Sequence, residues 1–326
     1  MVKGIVEEYE NVPNKNPFFS KVSGKNKKKY YMRRTSIAHF KQVAVWGGGL
    51  MGGGIAQITA TAKIAVTVVE VSEDRCTASR KAITSSLLRV AKKKFETSEE
   101  EQKKYVQDIL SFIVFTTDAQ AAAGSADLII EAIVENMSAK TALWKQLDVL
   151  ANKNCIFASN TSSLSVSEQA TVTTRVDRFG GLHFFSPVPM MKLVEVVGTD
   201  VTSASTITQL VDFSTKIGKT AVVAKDTKGF IVNRLLVPYM LEACRLVERG
   251  VASVEDVDTA MKLGAGHPMG PFALSDSVGI DVLKLISDAW FKLEPENLLF
   301  KPSKLIDEKY AQGKFGKKSG EGFYKY

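Results

Sequence analysis

Two side chains have the types and placement to move a proton. His183 lies in the run Arg178-Phe179-Gly180-Gly181-Leu182-His183-Phe184-Phe185, and Glu195 in Met191-Lys192-Leu193-Val194-Glu195-Val196-Val197. Both runs read as strands, joined by a short Pro-rich segment that starts Ser186-Pro187-Val188-Pro189. That link is too short for a helical crossover, so the two strands are expected to be antiparallel, with Glu195 facing His183. An imidazole oriented by a carboxylate is suited to taking a proton from a hydroxyl. The acid fixes the tautomer and stabilises the imidazolium. Read alone, a His before Phe-Phe is also a packed core residue. His39 and His267 lack such a partner and read as structural.

A second chemistry sits upstream. The apolar run Val43-Ala44-Val45-Trp46 feeds G-x-G-x-x-G at Gly47, Gly49 and Gly52, and a helical pattern follows through Leu50 and Met51. A pyrophosphate needs this arrangement: a tight turn at the first glycine, bare backbone at the second, and close helix–strand packing at the third. The helix N-terminus then offers unpaired N–H groups to the phosphates. The next apolar run, Ala65-Val66-Thr67-Val68-Val69, ends in Glu70. That is the place for an acid that meets a ribose 2′-OH and repels a 2′-phosphate, which favours NAD over NADP. A base beside a dinucleotide suggests loss of a hydroxyl proton as hydride leaves the same carbon.

Three further groups could complete such a site. Asn160-Thr161-Ser162-Ser163 follows the strand candidate 155–158, at the edge where doubly wound sheets bind ligands. It could hold a substrate oxygen or the nicotinamide amide, or cap a helix over 164–170. Glu135, after the strand candidate 127–133, points toward the same edge. The run Arg89-Val90-Ala91-Lys92-Lys93-Lys94 ends an amphipathic helix. It reads either as a solvated cationic turn matched to the helix dipole or as a clamp for a phosphate-bearing substrate. Asn233 either reaches back into a cleft or is an ordinary first-turn residue.

The elements that must position these groups alternate. Strand candidates at 43–46, 65–69, 112–115, 127–133 and 155–158 interleave with helical stretches at 50–62, 73–94, 99–110 and 138–151. The hairpin, a helix at 204–217 and a strand at 220–224 follow. This predicts a doubly wound, Rossmann-type α/β domain: a mainly parallel sheet with an antiparallel hairpin added, over residues 37–226. Asp226-Thr227-Lys228-Gly229 reads as a hinge. Residues 227–326 are expected to form a smaller all-α domain, with helices at 230–249, after Ser253-x-x-Asp256, at 279–292 and at 303–312, and a Gly/Pro loop around 264–271.

Charge separates the tail from the rest. The chain has a net charge of +8, but residues 1–40 hold nine Lys/Arg against Glu7, Glu8 and Glu10. The excess is therefore not a folded nucleic-acid face, and no apolar run reaches the ~20 residues of a membrane span. Residues 1–36 read as a basic extension. Its Met32-Arg33-Arg34-Thr35-Ser36 has the composition of a targeting segment, although the early glutamates do not suit a simple presequence from Met1. Three scattered cysteines form neither a disulfide framework nor a metal site.

With these residues in view, the chain resembles the short-chain L-3-hydroxyacyl-CoA dehydrogenases of mitochondrial fatty-acid β-oxidation. The resemblance runs from about Lys41 to Tyr326, through GGGLMGGGIAQ, VAKKKF, EAIVEN, FASNTSSL, GLHFF, MKLVEVV, GFIVNRLLVPY, AMKLGAG, PMGPF and FGKKSGEGFYKY. It implies NAD-linked oxidation of L-3-hydroxyacyl-CoA to 3-oxoacyl-CoA in the mitochondrial matrix. His183 would be the base, Glu195 its partner, and Ser162 and Asn233 the groups holding the substrate oxygens. Gly47, Gly48, Gly49, Leu50, Met51, Gly52, Glu70, Glu135, Lys140, Ser162, Ser186 and Lys318 would contact NAD. Ser86, Lys93 and Ser162 would contact the acyl-CoA, and the helical domain would pair two subunits.

The chain departs from the family pattern twice. Ser186 stands where the family usually has Asn, which costs a cofactor hydrogen bond of about 1 kcal/mol or bridges it through water. Glu70 stands where the family usually has Asp, and its longer side chain still reaches a ribose. Two rival readings share the scaffold. One is a non-catalytic, crystallin-like NAD(H)-binding protein. The other is a sugar-acid dehydrogenase, in which the lysines at 92–94 would be idle.

Overall fold

The computed structural model describes residues 40–326. His39 and the basic extension lie outside them. The chain begins β1 (Gln42–Trp46), α1 (Leu50–Thr61), β2 (Ala65–Val69), α2 (Glu73–Lys94), α3 (Glu99–Leu110), β3 (Ile113–Thr116) and α4 (Ala119–Ser125). It continues β4 (Leu128–Glu131), α5 (Met137–Leu150), β5 (Ile156–Ser159), α6 (Val166–Ala170), β6 (Phe179–Phe184), β7 (Leu193–Gly198), α7 (Ala204–Lys216) and β8 (Thr220–Lys225). Five helices close it: α8 (Val232–Glu248), α9 (Val254–Gly264), α10 (Pro271–Val278), α11 (Ile280–Leu293) and α12 (Lys304–Ala311).

The strands form one sheet in the order β3-β2-β1-β4-β5-β6-β7-β8. Every neighbouring pair is parallel except β6–β7, where His183 registers against Glu195. The strand order reverses beside β1, which creates the crevice in which such sheets bind ligands. Helices cover both faces, so the central strands are apolar throughout: Val43, Val45, Leu128 and Ile130 pack on one side, Ala44, Ile129 and Phe157 on the other. The final helices have a separate core around Leu241, Phe272, Trp290 and Phe300.

Helix starts follow local chemistry. Ser72, Ser98, Asn136, Ser203 and Ser253 each accept a backbone N–H two or three residues into the helix they open. Two helices are absent from the sequence reading. The first, α4, is an Ala-rich turn capped by Asp118, too short for a 3.6-residue stripe to register. The second, α10, begins inside the segment read as a Gly/Pro loop. Pro271 sits at its first position, where a fixed φ and a missing N–H do no harm.

Candidate active site

The loop after β1 has the backbone that its glycines require. Gly47 has φ +90°, and a Cβ there would lie 2.8 Å from the Ala132 carbonyl oxygen. A Cβ on Gly52 would lie 1.8 Å from the Gly47 oxygen, so α1 approaches its own strand as closely as backbone allows. Gly49 opens α1 with no side-chain cap and with nothing within 4 Å of where a Cβ would stand. Bare backbone, open space and uncapped N–H groups together fit a pyrophosphate. Glu70, just past β2, accepts from Gly48 N–H (2.7 Å) and Ser79 Oγ–H (3.0 Å), so the acid is held against the loop. Leu50 is exposed and Met51 half-buried.

At the other end of the same sheet edge, His183 Nδ1–H donates to Glu195 Oε2 at 2.7 Å. Both side chains are buried, Glu195 completely. Its second oxygen, Oε1, accepts from Ile231 N–H (3.0 Å) and Val232 N–H (2.9 Å), at the start of α8. Burial alone would push this carboxyl up. The hydrogen bonds from His183 and Val232 outweigh it and hold Glu195 below its ordinary value. The carboxylate is therefore ionised, keeps the imidazole proton on Nδ1, and leaves Nε2 as the proton acceptor. Phe185 and Phe230 lie against the ring, at 4.5 and 5.6 Å between centroids.

Between these two ends lies a network that includes the expected Glu135 and Lys140 and, at its centre, a residue the sequence reading gave no role, Glu131. Glu131, the last residue of β4, is fully buried and registers with Trp46 on one side and Ser159 on the other. It accepts from Lys140 Nζ (2.5 Å), Ser159 Oγ–H (2.6 Å) and Ile133 N–H (2.8 Å). Lys140, itself buried, also reaches Glu135 at 3.1 Å. Glu135 in turn accepts from Thr161 Oγ–H (2.5 Å) and from Ser162 N–H (3.0 Å). Burial pushes Glu135 up, but Lys140 and the Thr161 hydroxyl pull it further down, and the net direction is below its usual value. The only available sequence signal was a carboxylate ending the apolar strand Leu128-Ile129-Ile130-Glu131, with a lysine further along.

The alternatives left open at 160–163 are now separated. The cap of α6 is Ser165, which accepts from Glu168 N–H, so residues 160–163 do not cap that helix. Asn160 Oδ1 accepts from Phe184 N–H (3.0 Å) and ties this turn to the strand carrying His183. The Ser162 hydroxyl makes no hydrogen bond among the described residues.

Other candidates lie apart from this cluster. Asn233 follows Val232 in the first turn of α8, half-buried and beside the N–H groups that hold Glu195. Ser186 is exposed at a cis peptide with Pro187. Lys318 pairs with Asp281 (2.6 Å) in the helical half. Ser86 lines a cavity of about 340 Å³ with Gly49, Ser79, Arg89 and Pro187, on the α2 side of the glycine loop. Lys93 is exposed on the last turn of α2, outside that lining. Among the described residues no helix is long and apolar enough to cross a membrane.

A strand–glycine loop–helix on a doubly wound sheet, with a carboxylate-held imidazole further along the same edge, defines a dinucleotide-dependent oxidoreductase. The chain belongs to the 3-hydroxyacyl-CoA dehydrogenase family: residues 42–227 match the family's NAD-binding domain and residues 229–326 its C-terminal domain. It is 56% identical over 286 residues to the mitochondrial hydroxyacyl-coenzyme A dehydrogenases of Sus scrofa and Homo sapiens, covering 88% of this chain and 91% of each relative. The solved (S)-3-hydroxybutyryl-CoA dehydrogenase of Ralstonia eutropha superposes with a TM-score of 0.82 at 37% identity, covering 88% of this chain and 99% of that one. The protein is thus an NAD-dependent 3-hydroxyacyl-CoA dehydrogenase, which sets the sugar-acid alternative aside.

Proposed function

We propose that His183 is the general base that takes the hydroxyl proton while the 3-hydroxyl of an L-3-hydroxyacyl-CoA is oxidised in fatty-acid β-oxidation. The observation that carries this reading is the buried His183–Glu195 pair, 2.7 Å apart and anchored on the α8 N–H groups. Nε2 takes the hydroxyl proton, and the ionised Glu195 stabilises the imidazolium that results. When bound, NAD supplies the hydride acceptor. Gly47, Gly48, Gly49, Leu50, Met51 and Gly52 cradle its pyrophosphate, and Glu70 holds its adenosine ribose. Glu135, Lys140, Ser186 and Lys318 complete the cofactor contacts. Ser162 and Asn233 orient the substrate oxygens: the Ser162 hydroxyl makes no hydrogen bond among the described residues, and Asn233 stands next to the helix end that fixes Glu195. Ser86 and Lys93, both on α2, meet the CoA portion.

Purified protein given acetoacetyl-CoA should consume NADH, and rates across acyl lengths from C4 to C16 should show a defined optimum. Silence toward every acyl-CoA, with NADH still bound tightly, would leave only the non-catalytic reading.

We also infer a division at 226/227 into an NAD-binding domain and a helical domain that pairs two subunits in the mitochondrial matrix. Exposed Leu235, Leu263 and Leu285 on the helical half support pairing, because apolar surface of this kind is what a second copy would cover. The relatives named mitochondrial support the compartment. Protein recovered from sealed mitochondria, protected from added protease until the inner membrane is broken, should sediment at about twice the mass of one chain. A single-chain mass, or cleavage before the inner membrane is broken, would refute the inference.

A further inference from the structure

The glycine loop follows β1 and His183 lies on β6, with β4 and β5 between them. At the usual strand spacing the two ends are about 14 Å apart along the sheet edge. A dinucleotide seated on the loop must cross the ends of β4 and β5 for its reactive ring to reach His183. Those ends carry Glu131 and Ser159, paired in register.

Beneath that path lies a closed chain of charges. Glu131 has three donors on its two oxygens, Lys140, Ser159 and Ile133 N–H, the arrangement that suits a carboxylate. Lys140 bridges Glu131 and Glu135, and Glu135 holds the Thr161–Ser162 turn. The sum is two carboxylates against one ammonium, one net negative charge. Glu131 and Lys140 are 0% and 1% exposed, so water screens them little. A nicotinamide ring is cationic when oxidised and neutral when reduced, so a fixed negative charge under it discriminates between the two forms.

We propose that this cluster sets the relative affinity for NAD+ and NADH, and that Glu131 is the positioning residue that makes it negative. Glu131 touches neither cofactor nor substrate. It acts by keeping the cluster anionic and by holding Lys140 against Glu135. The proposal rests on the reading above, in which the nicotinamide lies over this edge.

The test is a charge series read by binding. Dissociation constants for NAD+ and for NADH are measured by equilibrium titration on the whole protein, with thermal melting to confirm folding. Glu131→Gln neutralises the cluster and should raise the ratio Kd(NAD+)/Kd(NADH) roughly three- to tenfold. Lys140→Met makes it doubly negative and should lower the ratio. The double variant restores a single negative charge and should return the ratio to within about twofold of the wild-type value. A purely structural role for Glu131 would weaken both forms alike. An unchanged ratio in the single variants, or a double variant that stays at the Glu131→Gln value, overturns the proposal. If Glu131→Gln does not fold, Lys140→Met decides alone by the direction of its shift. If the wild-type protein binds neither form, the reading of the edge as a cofactor site falls, and this proposal with it.

Discussion

Glu195→Gln should lower kcat by about 10²- to 10⁴-fold while the Kd for NADH stays within about threefold. The substitution keeps shape and volume, so the loss comes from the proton. The Ile231 and Val232 N–H groups need an acceptor, and the Gln oxygen will take that position. The amide NH2 is then turned toward His183 Nδ1, where Oε2 stood at 2.7 Å. Nδ1 must become an acceptor, which places the ring proton on Nε2, the atom that has to receive the substrate's proton. The imidazole is held in the wrong tautomer, and no carboxylate stabilises its cationic form. His183→Gln should fall in the same range. Wild-type kcat in either variant would mean that the roles assigned to His183 and Glu195 are wrong.

Trp144→Ala should destabilise the protein by about 3–5 kcal/mol, read as a fall in urea midpoint with the slope unchanged. Trp144 is fully buried and stacks on Phe157 of β5 at 5.0 Å, while Phe179 of β6 meets it edge-on at 4.9 Å. Its indole N–H donates to Gln169 Oε1, so truncation also leaves a buried amide without its donor. The two strands that this ring clamps carry the 159–163 turn and His183, and Lys140 lies one helical turn before it on α5. Activity should therefore fall below what the loss of folded protein accounts for. A loss under about 1 kcal/mol would mean that the stack contributes little beyond ordinary surface packing.

The glycine loop, Glu70 and the His183–Glu195 hairpin were legible because each is local. Two short strands joined by a Pro-rich link cannot be parallel, and alternation with a period of two then turns Glu195 toward His183. The strand–loop–helix at 43–62 is likewise written in consecutive residues. The α4 and α10 helices were not legible, because one is a single Ala-rich stretch and the other begins at a proline that directly follows a glycine. The bland alternative for residues 160–163 could not be removed locally either, since several hydroxyl side chains there are chemically able to cap a helix.

Sequence alone determined what depends on neighbours in the chain: the alternation that makes a doubly wound sheet, the loop only glycines can form, and the imidazole with its acid. Tertiary structure alone decided which distant groups share those atoms. The α8 N–H groups hold Glu195, and Glu131 lies buried between Lys140 and Ser159. These contacts join segments that meet only when parallel strands are ordered by crossovers, and a buried carboxylate is tolerable only where that ordering brings it donors. No periodicity records such meetings, because burial and hydrogen bonding are properties of the packed sheet.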